Sequence, residues 1–314
     1  MERKISLANI QKAVENAFEN FKSINEGQVD PRMENVDTKK FGISVVLTDG
    51  TTINKGDTKV ASPLGRIALV PTHVELLTQL TPDELVAKAG VACGNKKKEH
   101  KPKHLAVSPH GVRAVSVVQP TGDRDGKMDI MVNNILSLVG SPVEFDDKLY
   151  ERLTKINDDN KVVDTIAQAE YSLYDDGATS VDLWTRLVSL GATTEQLATM
   201  GATIAADGRN PITGDIAFDG KIAQNVVATM ARGIHHESRA WMMTVGLPAA
   251  NSFGGAIVAV MPGFGAIAAY SPSLDANGLS VKAARAIKEI ANELQLNVFA
   301  SARVGVEKPI HQPA

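Results

Sequence analysis

The sequence predicts an α/β (α+β) protein, in which an antiparallel sheet flanked by helices is joined to a mostly helical subdomain. Strand patterns occur near both ends of the 314-residue chain, and helical patterns fill its middle. Strands at both ends with helices between them favour one antiparallel sheet and a separate helical layer. We expect a single domain over residues 1–314, with the sheet from about 1–60 and 245–314 and the helices from about 61–244.

The N-terminal part predicts a helix followed by a β-hairpin. Apolar residues recur every three or four positions over Ile5–Ile24, which is the spacing of an amphipathic helix. Phe41–Leu47 is an apolar run typical of a strand, Asp49-Gly50 is a turn signal, and Thr51–Asn54 begins the return strand.

A second hairpin is predicted near the C-terminus. Ala256–Met261 and Ile267–Tyr270 are strand-like runs on either side of Pro262-Gly263. Gly263–Ala268 also fits the loose dinucleotide-binding pattern GxGxxA, but that pattern needs a helix after the glycines. The residues that follow are typical of a strand, so a hairpin turn is favoured.

Further helices are predicted in the middle of the chain and at its end. The clearest start is at Thr81, where a threonine N-cap precedes a proline and two acidic residues. The other predicted helices are Met128–Val139, Asp146–Glu170, Ser180–Leu190, Thr194–Ala206, Lys221–Arg232 and Val281–Gln295.

Composition excludes several classes of function. The formal net charge of −3 gives no electrostatic reason to expect nucleic acid or an anionic membrane as a partner. No apolar run reaches the roughly 18–20 residues of a membrane span. Cys93 is the single cysteine, which excludes an intramolecular disulfide and suits a cytoplasmic location. The histidines form no recognisable zinc signature, so no metal site is predicted.

Several segments resemble one known family. NPITG, VGLPA, GGAIVAVMPG and AAYSPSLDANGLSV occur in that order between Asn210 and Lys282. They resemble the C-terminal half of the serine-dependent glutaminases, which have a β-lactamase-like fold, and FGISVV and GDTKV extend the resemblance over nearly the whole chain. The resemblance implies hydrolysis of L-glutamine to L-glutamate and ammonia, without cofactor or metal, by a homodimer or homotetramer.

The same resemblance puts Arg66 and Leu69 where the family has its catalytic pair. In that family a serine is followed three residues later by a lysine, which deprotonates it on one face of a helix. The register from FGISVV through GDTKV gives Arg66 for the serine and Leu69 for the lysine. Ser62 lies close by, but the residue three positions after it is Gly65. The chain therefore resembles a divergent member that lacks the Ser-x-x-Lys motif.

The resemblance also assigns the remaining pocket positions. Asn251 falls in the segment that corresponds to the family's KSG motif, and Phe253 takes the place whose backbone N–H helps to form the oxyanion hole. Glu151 and Asn160 (or Asn157) match the side chains that hold the amino-acid end of glutamine. Four positions carry a residue type unlike the family's: Arg32, Asp129, Trp184 and His235.

These assignments leave two interpretations of the pocket. Arginine offers a fixed fork of donors that suits carboxylate or phosphate, so Arg32 and Arg66 indicate a pocket for an anionic ligand. Alternatively, the two arginines pair with Asp129 and Glu151 and fill an inactive site. The candidate catalytic residues are His235, Arg66 and Asp129. The candidate ligand-binding residues are Arg32, Glu151, Asn160, Trp184, Asn251 and Phe253.

His235 is either a general base, since neutral histidine is available near pH 7, or one of two ordinary histidines at a helix end. Three functions remain open. The chain is a divergent enzyme or binder acting on a small anionic, amino-acid-like or amide metabolite. It is a non-catalytic binding or scaffolding paralogue. Or it is a genuine glutaminase, a carboxamide hydrolase, with an unrecognised nucleophile such as Ser62.

Overall fold

The computed structural model describes residues 2–89, 108–159, 161–168, 172–234, 238–300 and 303–306. Its strands are β1 (Glu2–Ile5), β2 (Gln28–Val29), β3 (Gly42–Leu47), β4 (Thr52–Gly56), β5 (Ser62–Pro63), β6 (Glu144–Phe145), β7 (Leu190–Ala192), β8 (Ala249–Asn251), β9 (Ala256–Met261), β10 (Gly265–Tyr270), β11 (Ser273–Leu274) and β12 (Arg303–Val306). Its α-helices are α1 (Leu7–Phe21), α2 (Leu69–Gln79), α3 (Pro82–Ala89), α4 (Pro109–Val117), α5 (Arg124–Val139), α6 (Asp147–Asp159), α7 (Val162–Gln168), α8 (Gly177–Val188), α9 (Thr194–Ala205), α10 (Ala223–Met230), α11 (Ser238–Thr244) and α12 (Val281–Glu293). Short 3-10 helices cover Gly65–Ala68 and Gly220–Ile222.

The centre of the fold is an antiparallel sheet with the strand order β4-β3-β10-β9-β8. Both predicted hairpins are confirmed, since β3 pairs with β4 and β9 pairs with β10. Gly50 and Gly263 form their turns with φ angles of 88° and 72°, which glycine adopts without strain. The GxGxxA pattern lies in this second hairpin, with Gly265 opening β10, so it is not a phosphate-binding loop.

Both faces of this sheet are buried, and alternate residues along each strand enter different cores. Val46, Val258 and Val260 face the core that contains α9 and the other helices of the middle region. Ile257 and Ile267 face a second core, which α1 and α12 cover. Burial on both faces explains why these strands are continuous apolar runs rather than alternating ones.

The middle of the chain packs as helices around α2, α4, α5, α8 and α9. A small antiparallel sheet, with the order β5-β7-β6, ties the segment before α2 to the connection between α8 and α9. The sequence analysis did not predict these short strands. The helix expected over Ser180–Leu190 ends at Val188, because Leu190 belongs to β7. Every helix within the described ranges is too short or too polar to cross a lipid bilayer.

Other predicted helices also differ from the structure; for example, α5 begins at Arg124 rather than Met128, and α10 covers Ala223–Met230 rather than Lys221–Arg232. The first helix was expected over Ile5–Ile24 but covers only Leu7–Phe21, because Ser6 caps its start and Ile5 belongs to β1. β1 pairs in parallel with β12, which no local pattern indicated. The helix expected over Asp146–Glu170 is divided into α6 and α7, with Lys161 between them at a φ of 47°. Glu170 lies outside the described residues.

Candidate ligand-binding site

Arg66 lies in the 3-10 turn Gly65–Ala68, which continues directly into α2. The turn is held to β7, since the Leu64 N–H donates to the Leu190 carbonyl at 2.7 Å. Gly65 has a φ of 50°, and a Cβ there would come within 2.7 Å of the Ser252 Oγ. Arg66 therefore lies in the turn that opens α2, and its side chain is half-buried.

Ser252 joins the edge of the central sheet to the segment that carries Arg66. Its hydroxyl donates to the Pro63 carbonyl at 2.5 Å and accepts from the Gly254 N–H at 3.0 Å. The side chain is fully buried. The donor and one acceptor position of this hydroxyl are used to hold the turn after β8, so Ser252 has a structural role here.

Phe253 follows in the same turn and brings Arg32 to the site. The Arg32 guanidinium carbon lies 4.1 Å from the centre of the Phe253 ring, a cation–π contact. Arg32 also forms a bidentate ion pair with Asp30, with Nε to Oδ1 at 2.7 Å and Nη2 to Oδ2 at 2.8 Å. Burial raises the pKa of the Asp30 carboxyl, but the hydrogen bond and charge of Arg32 outweigh burial and lower that pKa overall.

Arg152 on α6 holds the loop that contains Arg32. Its Nη1 donates to the Arg32 carbonyl at 2.7 Å, and its Nη2 contacts the Glu34 carboxylate at 2.8 Å. The loop is thus fastened on one side to the helical region and on the other to the Phe253 ring. No local pattern indicated this role of Arg152, because its partners lie about 120 positions earlier in the chain.

Two histidines that sequence reasoning dismissed lie in the same region. His73 on α2 and His110 on α4 have ring centres 6.1 Å apart. Burial, with the positive charges of Arg66 and Arg113, lowers the pKa of His110 to about 4. Burial and the neighbouring His110 lower the pKa of His73 to about 3. Both imidazoles are therefore neutral at pH 7.

Trp184 forms part of the wall behind His110. It lies on α8, is 1% exposed, and packs so closely on Gly111 that a Cβ at that position would overlap its indole ring. Because Gly111 follows His110 directly, this contact sets the position of the start of α4. Trp184 thus lies beside the site, but its contact there is with the backbone of α4.

Asp129 and Glu151 do not take part in this cluster. Both are exposed, on α5 and α6 respectively. Within the described part of the chain, no ion pair joins either carboxylate to Arg32 or Arg66, and Asp30 is the acidic partner of Arg32 instead. Among the described residues, the expected pairing of the two arginines with Asp129 and Glu151 is not observed.

The remaining candidates are dispersed. The Asn251 Nδ2 donates to the Gly278 carbonyl at 3.2 Å, towards the connection between β11 and α12. Asn157 donates to the Thr185 hydroxyl at 3.0 Å, and its buried Oδ1 has no hydrogen-bond partner among the described residues. Asn160 and His235 lie outside the described residues. Ser62 is fully buried in β5, and its hydroxyl has no partner in the described ranges.

Comparison with known proteins identifies the family to which this chain belongs. A family model described as Glutaminase matches residues 27–299. The chain is 34% identical over 320 residues to a glutaminase of Bacteroides fragilis, covering 98% of this chain and 99% of the relative. It is 33% identical over 308 residues to one of Mycobacterium ulcerans, covering 94% and 96% respectively. The chain belongs to the glutaminase family.

Solved structures agree with this assignment. The structure described as probable glutaminase ybaS superposes with a TM-score of 0.86 at 27% identity, covering 94% of this chain and 99% of that one. A probable glutaminase from Bacillus subtilis, complexed with 6-diazo-5-oxo-L-norleucine, gives 0.78 at 20% identity, covering 93% and 96%. The fold is therefore the β-lactamase-like fold of glutaminases, as the short sequence segments shared with that family indicated.

Proposed function

We propose that this protein is a divergent glutaminase-family member that binds a small anionic, amino-acid-like or amide-bearing metabolite beside Arg66. The observation that carries the proposal is the position of Arg66 in the turn that opens α2, next to the contact between Phe253 and Arg32. The start of a helix attracts anions through its unpaired N–H groups and its dipole. A guanidinium at that point adds a full positive charge and a planar set of donors.

The surroundings of Arg66 favour an anion over a cation. His73 and His110 are neutral at pH 7, so they add hydrogen-bonding capacity without adding charge. Arg32 is balanced by Asp30 and stacked on Phe253, which suits a role as a rigid wall with donors at its edge. Among neighbours in fold, one structure is described as Mglu in its glutamate form, and another is described as a probable glutaminase complexed with 6-diazo-5-oxo-L-norleucine. An amino-acid-like ligand fits that class.

We further propose that glutamine is not hydrolysed here by a serine activated by lysine. Leu69 stands three positions after Arg66, so the start of α2 offers no Ser-x-x-Lys pair. The Ser252 hydroxyl is already used by Pro63 and Gly254. Ser62 is buried, and its i+3 residue is Gly65. An activated nucleophile with its base typically supplies on the order of 10⁶-fold of rate, so its loss leaves little turnover.

The binding proposal is tested by thermal unfolding with sulfate, glutarate, L-glutamate and L-glutamine. A ligand at ten times its Kd stabilises the native state by about 1.4 kcal/mol, which raises the melting temperature measurably. We expect at least one of the anions to give such a shift, and Arg66→Ala to abolish it. Arg209→Ala is the matched control, since Arg209 is exposed and donates to the Gly214 carbonyl. If no anion stabilises the protein, a non-catalytic scaffolding role becomes the better account.

The second readout is ammonia release from L-glutamine at neutral pH. We expect the purified protein to match the blank. Release that rises with protein concentration, and that Ser62→Ala abolishes, would establish a genuine glutaminase with a different nucleophile and overturn the second part of the proposal.

A further inference from the structure

The turn that joins β11 to α12 carries the single Asn-Gly pair of the chain, Asn277-Gly278. The Gly278 N–H donates to the Asp275 carbonyl at 3.0 Å, which closes a β-turn with aspartate at its first position and glycine at its last. The Asp275 Oδ1 also accepts from the N–H of Asn277 at 2.9 Å and from that of Leu279 at 3.0 Å. One carboxylate oxygen therefore holds the turn at two further points.

Gly278 leaves the backbone beside Asn277 open. A Cβ added at Gly278 would meet no atom within 4 Å beyond its chain neighbours, and its φ of 79° is one that glycine adopts without strain. Asn277 is exposed, and Gly278 is half-exposed. The backbone nitrogen that follows an asparagine attacks the side-chain amide of that asparagine most readily when no side chain stands in the way. Glycine is therefore the following residue that most favours this reaction, and here both residues are accessible to water.

We propose that Asn277 is a site of spontaneous deamidation, at which the side-chain amide becomes a carboxylate without an enzyme. The Gly278 backbone nitrogen bonds to the Asn277 Cγ, and the Cγ–Nδ2 bond breaks. Ammonia leaves with the proton of the attacking nitrogen, and a cyclic succinimide remains. Water then adds to one of the two ring carbonyls and opens the ring to aspartate or isoaspartate. Water is the one co-reactant, and nothing is oxidised or reduced.

The turn controls how fast this reaction runs in the folded protein. Attack requires the turn to open, because the Gly278 nitrogen is held by its hydrogen bond to the Asp275 carbonyl. Exposed segments held by a few hydrogen bonds open at a small fraction of the cost of global unfolding. The Asp275 side chain supplies two of the hydrogen bonds that oppose opening. Losing a hydrogen bond of typical net strength shifts such an opening equilibrium by about two- to tenfold.

Deamidation changes a contact of the central sheet. The isoaspartate product adds a methylene to the main chain between residues 277 and 278. The Gly278 carbonyl accepts from the Asn251 Nδ2 at 3.2 Å, so a longer main chain shifts this acceptor relative to β8. Either product also puts a second carboxylate close to that of Asp275, and like charges repel. The modification therefore weakens the contact between the end of β8 and the segment before α12.

The test is peptide mass spectrometry of the whole folded protein, kept at neutral pH and sampled over several weeks. Deamidation raises the mass of the peptide by one dalton, and fragmentation distinguishes isoaspartate from aspartate. We expect Asn277 to convert and Asn35 to stay intact. Asn35 is the internal control, since it is also exposed but is followed by the β-branched Val36. The same chain unfolded in urea gives the rate of the Asn-Gly pair without its turn.

Two variants separate the role of the turn from the chemistry of the pair. Asp275→Ala should convert about two- to tenfold faster than the wild type when folded, and at the wild-type rate in urea. Asp158→Ala, which removes an exposed carboxylate from α6, should match the wild type in both states. Asn277 that stays intact in the folded protein after the unfolded chain has converted would overturn the inference, as would equally fast conversion of Asn35. A folded Asp275→Ala rate equal to the wild type would contradict the control by the turn. None of these outcomes depends on the proposed ligand.

Discussion

The interior of the central sheet and the segment from Ser62 to His73 are both largely buried, but they differ in how their polar groups are satisfied. β3, β9 and β10 are wholly buried, with mainly apolar side chains on both faces and their backbone groups paired across the strands; the buried Ser44 hydroxyl in β3 is hydrogen-bonded to that of Thr194. The segment around Arg66 buries a serine hydroxyl and an imidazole nitrogen with no partner among the described residues. One region follows the rules of a stable core, and the other departs from them.

The difference indicates where stability and function lie. Consistent packing and pairing make a region stable, and proteins break those rules mainly at functional sites. The sheet therefore explains why the chain keeps the family fold. The Arg66 segment is where this chain's own chemistry is to be sought. Each of the following predictions tests one side of this contrast.

The largest effect is expected from the sheet. Ile267 is completely buried at the centre of β10, so Ile267→Ala should lower the free energy of unfolding by about 2–5 kcal/mol through lost burial and a cavity. Ile216→Ala is the matched control, because Ile216 is 60% exposed and should change stability by no more than about 0.5 kcal/mol. Urea denaturation measures both. Equal effects would show that the sheet is not the main stabilising core.

A pH effect is expected from the site segment. The pKa of His73 falls from its ordinary 6.5 to about 3, so the unfolded chain binds a proton that the folded chain does not. Protonation of His73 in the unfolded chain therefore lowers the free energy of unfolding. The effect is small well above pH 6.5 and grows as the pH falls towards 3. Between pH 6.5 and 5 the wild type should lose about 1–2 kcal/mol of its free energy of unfolding through His73.

His73→Leu removes both the titrating group and the unpartnered nitrogen. Urea denaturation at pH 6.5 and pH 5 should therefore show a smaller loss for this variant than for the wild type. Parallel losses in the two proteins would mean that His73 is not buried in its neutral form, which would weaken the contrast between the two regions.

A smaller effect is expected where the site is fastened to α6. Arg152→Ala removes the hydrogen bonds to the Arg32 carbonyl and to Glu34, which are half-exposed, so we expect a loss of about 1 kcal/mol. Lys155→Ala changes an exposed cation on the same helix and should be nearly neutral. If Arg152 positions Arg32, anion affinity should fall in the first variant and not in the second. If the anion affinity of Arg152→Ala is unchanged, Arg152 contributes to stability but does not position Arg32.

Local patterns predicted the sheet and much of the helical framework. The two hairpins follow from apolar runs joined by Asp49-Gly50 and Pro262-Gly263, which are short-range signals. The parallel pairing of β1 with β12 escaped prediction because it joins residues about 300 positions apart. The break near Lys161 escaped because its positive φ belongs to a residue that carries no glycine or proline signal.

The candidate site was predicted only in part, for the same physical reason. The resemblance assigned Arg66 to the register of the family's serine, and in the structure Arg66 lies in the turn that opens α2. Asp30 was missed as the partner of Arg32, although it lies two positions away, because spacing alone does not show how a loop folds back. His73 and His110 meet only through the packing of α2 against α4, so no sequence motif could have joined them.

The most direct test of the central claim is a crystal structure of the protein grown with saturating glutarate. The account predicts density for a carboxylate within hydrogen-bond distance of the Arg66 guanidinium, at the start of α2, with the Phe253 ring and Arg32 forming the adjacent wall. Arg66 held entirely by carboxylates of the protein, with glutarate absent from this turn, would contradict it.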